Sequence, residues 1–137
     1  MRRLILDAGP LIALVSKQDN YHQEAKTGFS QLPQEFGEVL TPLPILFEVY
    51  KFVSREASVE AAQRLLTILY QETVIVPIEG ELFAEVYDLV RQLVNWKGSL
   101  EDGTVIILAE KYNAEVWTLD YRDLGYFKQI RFWTPST

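Results

Sequence analysis

Two aspartates stand where apolar segments typical of strands come to an end. Asp7 closes the run LILD just before a Gly-Pro turn, and Asp120 closes the segment EVWTLD. The carboxyl ends of parallel strands meet at one edge of a sheet, which is where such sheets bind ligands. If both segments belong to one parallel sheet, the two carboxylates are expected to be neighbours at that edge.

Two further acids have unusual surroundings. Asp102 follows Ser99 by three residues, a spacing that predicts the first turn of a helix. Glu48 is a charged residue within the largely apolar stretch PILFEVYKFV, so it is expected to face inward or into a cleft. A single site at the sheet edge would account for all four acidic positions.

Each acid also has a purely structural interpretation, and the residues alone leave it open. Asp102 could cap its helix, which stabilises a helix by ~0.5–1 kcal/mol. Asp7 and Asp120 could begin turns, as aspartates often do. Glu48 could pair with Lys51, which lies on the same helix face one turn later.

Carboxylates gathered in one pocket repel one another and take up protons unless a cation compensates them. A hard divalent ion with oxygen ligands, Mg²⁺ or Mn²⁺, suits such a group. These ions orient a phosphodiester, lower the pKa of a bound water and stabilise the charge of an in-line displacement. If the four acids form one site, the chemistry indicated is metal-dependent phosphodiester hydrolysis, with Asp7, Glu48, Asp102 and Asp120 as candidate catalytic and metal-ligating residues.

The composition limits the alternatives. A length of 137 residues predicts one domain over residues 1–137. The absence of cysteine excludes disulfides and thiolate zinc sites, and the single histidine, His22, excludes a multi-histidine metal site. The net charge is −6, but setting aside the four acids leaves fifteen acidic residues against thirteen Lys and Arg. Net charge thus does not exclude a nucleic-acid partner.

No apolar run approaches the ~20 residues that a membrane span needs. The amino-terminal residues pass from two arginines into a short strand pattern, which differs from a signal peptide. A cytoplasmic protein without a membrane partner is expected.

Strand patterns alternate with helix patterns along the whole chain. Helices are predicted over residues 10–16, 21–32, 43–55, 59–72, 80–95 and 100–112. Strands are predicted over residues 3–7, 37–41, 73–78, 115–119 and 130–133. The helix over 80–95 is amphipathic, with one apolar stripe formed by Leu82, Phe83, Val86, Leu89, Val90 and Leu93. This alternation predicts an α/β fold with a mostly parallel sheet covered on both faces.

Several segments resemble, in order, the motifs of PIN-domain ribonucleases: LILDAGPLIAL, ILFEVYKF and SLEDGTVIILAEKYNAEVWTLDYRDL. The similarity extends over essentially the full chain and is greatest to the VapC-type toxins of toxin–antitoxin pairs. It implies a three-layer α/β/α sandwich. It also implies that Asp7, Glu48 and Asp102 correspond to three core acids of the family, and Asp120 to a fourth.

The resemblance assigns further residues and reveals departures. Thr118 corresponds to a hydroxyl that commonly lines the family's site, and Asp123 is a candidate extra acid for which a turn role is favoured. Gly9 stands where many relatives carry a small polar residue, so one water-ordering hydroxyl is expected to be missing.

A second departure concerns the start of the helix over 100–112. The family usually has small–Asp–small there, whereas this chain has Glu101-Asp102-Gly103. Glu101 is therefore a rival to Asp102. Asp102 is preferred because Leu100 and Val105 would then be buried on the opposite face.

The resemblance implies an RNA substrate, a cognate antitoxin protein and a homodimer. Cleavage is expected in unpaired RNA, whose bases can be splayed into a cleft. Basic residues near the sheet edge are candidates for phosphate contacts, namely Lys17, Lys51, Arg55, Lys97 and Arg122. Apolar grooves between the segments 44–53 and 61–70 are candidate docking surfaces for the antitoxin, although core packing is favoured for most of their side chains.

Two other functions remain open from the sequence. The chain could be a non-catalytic RNA- or partner-binding protein with a vestigial acidic site, although retention of all four acids argues against this. A small phosphatase with Asp7 as nucleophile is disfavoured, because Gly9 stands where a second aspartate is needed and no matching lysine motif follows.

Overall fold

A four-stranded, all-parallel sheet forms the centre of the protein, as seen in a computed structural model that describes residues 1–137. The order across the sheet is β3-β2-β1-β4. The strands are β1 (Arg3–Leu6), β2 (Glu38–Pro42), β3 (Val74–Val76) and β4 (Glu115–Trp117).

Seven helices connect and cover the strands, which gives the predicted three-layer α/β/α sandwich. The helices are α1 (Ala8–Val15), α2 (His22–Glu35), α3 (Leu43–Glu56), α4 (Val59–Glu72), α5 (Gly80–Gln92), α6 (Leu100–Lys111) and α7 (Tyr121–Leu124). None of them is both long enough and apolar enough to cross a lipid bilayer.

Strand β1 is the most deeply buried part of the sheet. Its residues Leu4, Ile5 and Leu6 are fully buried although they point alternately to opposite faces. Such a continuous apolar run is typical of a parallel strand with helices on both faces. It belongs to a core cluster of 27 buried residues that continues into the helices.

The path of the chain reverses at β1. Strands β2 and β3 follow on one side of it, whereas the connection through α5 and α6 returns the chain to β4 on the other side. The carboxyl ends of β1 and β4 therefore flank the switch point, where sheets of this kind bind their ligands.

Several predicted strands are longer than those observed. Strand β3 ends before Pro77, which lacks the N–H that the ladder requires. Strand β4 ends at Trp117 because its partner there, Leu6, is the last residue of β1. The strand predicted over residues 130–133 is wrong: only a single bridge joins Val116 to Phe132.

The helices also differ in detail from the prediction. Helix α5 ends at Gln92 rather than at residue 95, and the short helix α7 was not predicted. Of the predicted α5 stripe only Val86 is buried, while Phe83 is 45% exposed. The stripe is wider than the surface that α5 shares with α6, so part of it faces outward.

An aromatic cluster closes the sheet on the side of β4. Trp117 is 1% exposed, and its ring centroid lies 5.2 Å from those of both Phe29 and Trp133. Helix α2 approaches this cluster closely at Gly28, where an added Cβ would overlap the Trp117 ring and lie 2.8 Å from Pro135 Cγ.

Gly28→Ala is expected to destabilise the protein, although alanine favours a helix interior by up to ~1 kcal/mol over glycine. Overpacking of a filled core typically costs ~1–3 kcal/mol, and the buried Trp117 has little room to shift. Urea unfolding of Gly28→Ala and of the control Gly80→Ala measures the difference. A Cβ at Gly80 meets nothing within 4 Å, so the control should match the wild type or be slightly more stable. Equal stability of both variants would contradict this packing.

Candidate metal centre

Asp7 follows the last residue of the central strand and is almost completely buried, with 4% of its surface exposed. It occupies the position before α1 but makes no side-chain cap to that helix. Burial raises the pKa of Asp7 to about 6, and the negative charges of Asp102 and Asp120 raise it further. The hydrogen bond from Thr118 and the proximity of the Ala8 N–H oppose this rise. Because the Asp7 carboxylate caps no helix, the interpretation of Asp7 as a turn residue does not explain why it is buried.

Thr118 connects the ends of the two strands. Leu6 and Trp117, the last residues of β1 and β4, pair with each other, so Asp7 and Thr118 follow directly after the paired strand ends. The fully buried Thr118 hydroxyl donates to Asp7 Oδ2 at 2.6 Å and accepts from the Asp120 N–H at 2.9 Å. One hydroxyl therefore fixes the Asp7 carboxylate and the backbone that carries Asp120.

Three aspartates meet at this edge of the sheet. Asp102, Asp120 and Asp123 each offer a carboxylate oxygen, and these oxygens lie within 4.8 Å of one another. The pKa of Asp102 is raised by its burial and by the charges of Asp120 and Asp123, against hydrogen bonds from Ser99. The negative charges of this group are thus close enough to act on one another.

Both structural interpretations of these aspartates hold in part. Asp102 forms a capping box with Ser99, accepting from the Ser99 N–H at 2.9 Å while the Ser99 hydroxyl accepts from the Asp102 N–H at 3.0 Å. Asp120 accepts from the Asp123 N–H at 3.4 Å and so begins the short helix α7. These local bonds position the carboxylates without placing a positive charge near them.

Glu48 lies on α3, half-buried, at the wall of a groove of about 480 Å³. Burial raises its pKa to about 7, with additional repulsion from Glu101, Asp7 and Asp102. No ion pair joins Glu48 to Lys51, although both line the groove. The interpretation of Glu48 as a simple helix-surface pair is therefore wrong.

The salt bridges of the protein all lie at the opposite edge of the sheet, where the strands begin. Arg2 pairs with Glu35 at 2.9 Å and with Glu115 at 3.0 Å, and Arg3 pairs with Glu38 at 3.0 Å. The acids at the carboxyl edge have no such partner. Because this donor set contains only carboxylate oxygens and is not neutralised by protein cations, it fits a hard divalent cation.

Of the four predicted acids, the structure groups only Asp102 and Asp120 within 4.8 Å, together with Asp123, and leaves Asp7 and Glu48 outside this group. Asp102 and Asp120 belong to the three-aspartate group, Asp7 is joined to Asp120 through Thr118, and Glu48 acts on this group electrostatically from α3. The sequence offered Asp123 as an extra acid but favoured a turn role; in the structure Asp123 lies in the short helix α7 and also belongs to the group. Its spacing of three residues from Asp120 would have signalled this had the short helix α7 been predicted.

Glu101 and Asp102 occupy different parts of the edge. Asp102 lies with the other two aspartates, while Glu101 lines the groove beside Glu48. The expected burial holds for Val105, which is fully buried, but is wrong for Leu100, which is 49% exposed and lines the same groove.

Gly103 has a packing role. A Cβ at this position would lie 2.9 Å from Val90 Cγ2 and 3.3 Å from Val86 Cγ1, so glycine allows α5 to approach α6. His22 also has a structural role, since its Nδ1 lies 2.7 Å from the Ala13 carbonyl oxygen. Both residues thus have explanations that need no bound ion.

The chain belongs to the PIN-domain family, whose model matches residues 4–132. No curated protein matches the sequence significantly. Solved structures of VapC-type toxins and their complexes share the fold, as the resemblance implied.

Three of these structures illustrate the range of similarity. VapC20 of Mycobacterium tuberculosis, a toxin that cleaves the sarcin–ricin loop, has a TM-score of 0.81 and 17% identity over 90% of this chain and 94% of its own. VapBC2 of Rickettsia felis, bound to a fragment of promoter DNA, has a TM-score of 0.74 and 14% identity over 96% and 97%. A toxin–antitoxin complex of Klebsiella pneumoniae has a TM-score of 0.68 and 19% identity over 97% and 98%.

Without divalent ions, the contribution of Asp7 is expected to make the protein less stable at pH 8 than at pH 5. The pKa of Asp7 is about 6 in the folded protein against an ordinary value of 3.8, so the folded state binds this proton more tightly. That stabilisation is complete below about pH 4 and is lost as the pH rises through about 6. The full loss amounts to about 3 kcal/mol, of which about 1.4 kcal/mol falls between pH 5 and pH 8.

Thermal unfolding in EDTA across this pH range measures the effect as the difference between the wild type and Asp7→Asn. The variant should gain relative stability as the pH rises, since an amide carries no buried charge. Asp88→Asn, at an exposed position on α5, should follow the wild type. Parallel pH profiles for the wild type and Asp7→Asn would contradict the assignment.

Proposed function

We propose that this protein is an endoribonuclease that depends on Mg²⁺ or Mn²⁺ and hydrolyses RNA phosphodiesters. The observation that carries the proposal is the group of three aspartates at the switch point of the sheet, none of which forms an ion pair with a protein cation. Burial also raises the pKa values of Asp7, Glu48 and Asp102 around this group. Membership of the PIN-domain family supports the same conclusion.

In this proposal Asp7, Glu48, Asp102 and Asp120 would hold one or two divalent ions, and Asp123 would join them. When bound, the ion supplies charge stabilisation and activates water for attack on a phosphodiester. The protein's contribution is to hold the carboxylates in place before any ligand arrives. Thr118 does this for Asp7, and the capping box does it for Asp102.

Glu48 is the acid whose protonation is most sensitive near neutral pH. Its pKa of about 7 means that the metal-free site carries a proton there for part of the time. A bound dication favours the ionised form of a neighbouring carboxylate, so this proton would be released on ion binding. Acidification is therefore expected to weaken ion binding.

We also propose that the protein is the toxin of a type II toxin–antitoxin pair. The similarity of its fold to VapC20 and to the VapBC complexes supports this. The cognate antitoxin would cover part of the toxin, and its side chains could block the acidic site. The homodimer stays a prediction from the family resemblance.

The surface of α3 and α4 supports an antitoxin partner. Phe47 is 67% exposed and Tyr70 is 78% exposed, and Leu46, Tyr50 and Leu66 line a shallow apolar groove next to Phe47. These residues fall within the segments 44–53 and 61–70. A small adjacent reading frame that encodes a DNA-binding protein would support the pairing.

Divalent ions are expected to stabilise the folded protein independently of any activity. A ligand at 100 times its dissociation constant adds about 2.7 kcal/mol to the free energy of unfolding, which raises the melting temperature by several degrees. Melting curves with Mn²⁺, Mg²⁺ or EDTA test this in the wild type, in Asp120→Asn and in the control Asp88→Asn.

Asp120→Asn should lose most of the stabilisation, while Asp88→Asn should keep it. An identical melting temperature with and without ions in the wild type would remove the metal site. Ion binding without any RNA cleavage would instead favour the non-catalytic alternative.

Asp7→Asn and Glu48→Gln are each expected to lower RNA cleavage at least ~100-fold, a loss typical of removing one group that stabilises charge in a transition state. The assay follows cleavage of a structured RNA with unpaired loops in the presence of Mn²⁺ or Mg²⁺. Asp88→Asn and Glu85→Gln, two matched changes at exposed positions of α5, should retain full activity.

Full activity of either active-site variant would remove the role proposed for that residue. Hydrolysis of a small phosphate monoester instead of RNA would favour the phosphatase alternative. Sequencing the RNAs cleaved after brief expression, compared with Asp7→Asn, would identify the natural target.

A further inference from the structure

A second cavity adjoins the three-aspartate group and shares no lining residue with the groove that Glu48 lines. It has a volume of about 440 Å³ and lies between the segment after α5 and the helix α7. Its lining consists of Asn95, Trp96, Lys97, Arg122, Asp123 and Tyr126. Asp123 belongs both to this cavity and to the acidic group, so the two are continuous.

The cavity carries two cations, Lys97 and Arg122, against one acid, Asp123. Lys97 and Arg122 come from separate segments, both are exposed, and neither takes part in a salt bridge. The groove lined by Glu48 has the opposite charge balance, with two acids, Glu48 and Glu101, against one cation, Lys51. Positive charge is therefore concentrated on one flank of the acidic edge, which favours the approach of a polyanion from that flank.

Two aromatic rings stand beside these cations. The Trp96 N–H donates to the Asp123 carbonyl oxygen at 2.8 Å, which ties the loop to α7. Phe127 packs edge-on against both rings. The centroid of its ring lies 5.5 Å from that of Trp96 and 5.2 Å from that of Tyr126. Tyr126 is 55% exposed, so part of its ring is open to a ligand.

We propose that this cavity binds the nucleotide next to the phosphodiester held at the acidic edge, with Lys97 and Arg122 on its phosphate and Tyr126 stacked on its base. The inference rests on the proposed function, since it takes RNA as the substrate. Cations interleaved with aromatic rings are the usual platform for single-stranded nucleic acids. An acidic peptide would use the cations but gain little from the rings.

The test measures binding of a fluorescein-labelled single-stranded RNA by anisotropy in EDTA at low salt, so that no cleavage takes place. Lys97→Ala/Arg122→Ala is compared with Lys26→Ala/Arg64→Ala, which removes the same two charges from exposed positions on α2 and α4. The first variant should bind about tenfold or more weakly, because two contacts to a charged phosphate are lost. Its slope of log affinity against log salt should fall by about 0.7, given about 0.7 per phosphate in single strands and one phosphate held by both side chains.

Variants of Tyr126 distinguish the contribution of base stacking to RNA binding from that of charge. Tyr126→Ala should weaken RNA binding by about tenfold with the salt slope unchanged, since stacking is worth ~1–3 kcal/mol per base. Tyr126→Phe keeps the ring and should bind like the wild type. Melting curves confirm that each variant is folded.

Equal binding by Lys97→Ala/Arg122→Ala and Lys26→Ala/Arg64→Ala would overturn the inference. So would competition by polyglutamate as effective as that by unlabelled RNA, which would indicate a general anion site. Failure of the wild type to bind RNA in EDTA would overturn it as well. The proposed function is judged separately, by the cleavage of RNA when Mn²⁺ is present.

Discussion

The hydrogen bond between Thr118 and Asp7 is the interaction on which the acidic edge depends. It joins the end of the central strand to the end of β4, across the point where the order of the strands reverses. The same hydroxyl accepts the Asp120 N–H, so the two strand ends and their aspartates are fixed by one buried group. Without it, Asp7 would lose a bond that favours its ionised form while remaining buried.

Charge is distributed unevenly between the two edges of the sheet. Arg2 and Arg3 neutralise acids where the strands begin, so the unpaired negative charge is concentrated where the strands end. Without a bound ion, ionising these buried and mutually repelling carboxylates costs free energy, and the raised pKa values of Asp7 and Glu48 reflect that cost. A structural role alone would not require several acids to be held in this state, whereas a divalent cation would relieve it.

The sequence predicted the parallel sheet and most of its helices because the apolar runs and the helical periodicity are local signals. Residues 59–72, for example, form a helix with the predicted bounds. Strand lengths were less predictable, because they depend on partners: β4 ends where β1 ends. The role of Asp123 as an extra acid was ranked below a turn role for a similar reason, since its grouping with Asp102 and Asp120 follows from the short helix α7 and from how α7 meets the start of α6.

Asp102 and Asp7 contribute differently to the stability of the fold when no ion is bound. Asp102 completes the capping box at the start of α6, so selection for a stable fold alone would retain it. Asp7 caps nothing and destabilises the fold when ionised, so a lineage that lost its ligand would be free to replace it. Among diverged relatives of this chain, an aspartate at position 7 is consequently a better indicator that the site still binds its ligand than an aspartate at position 102.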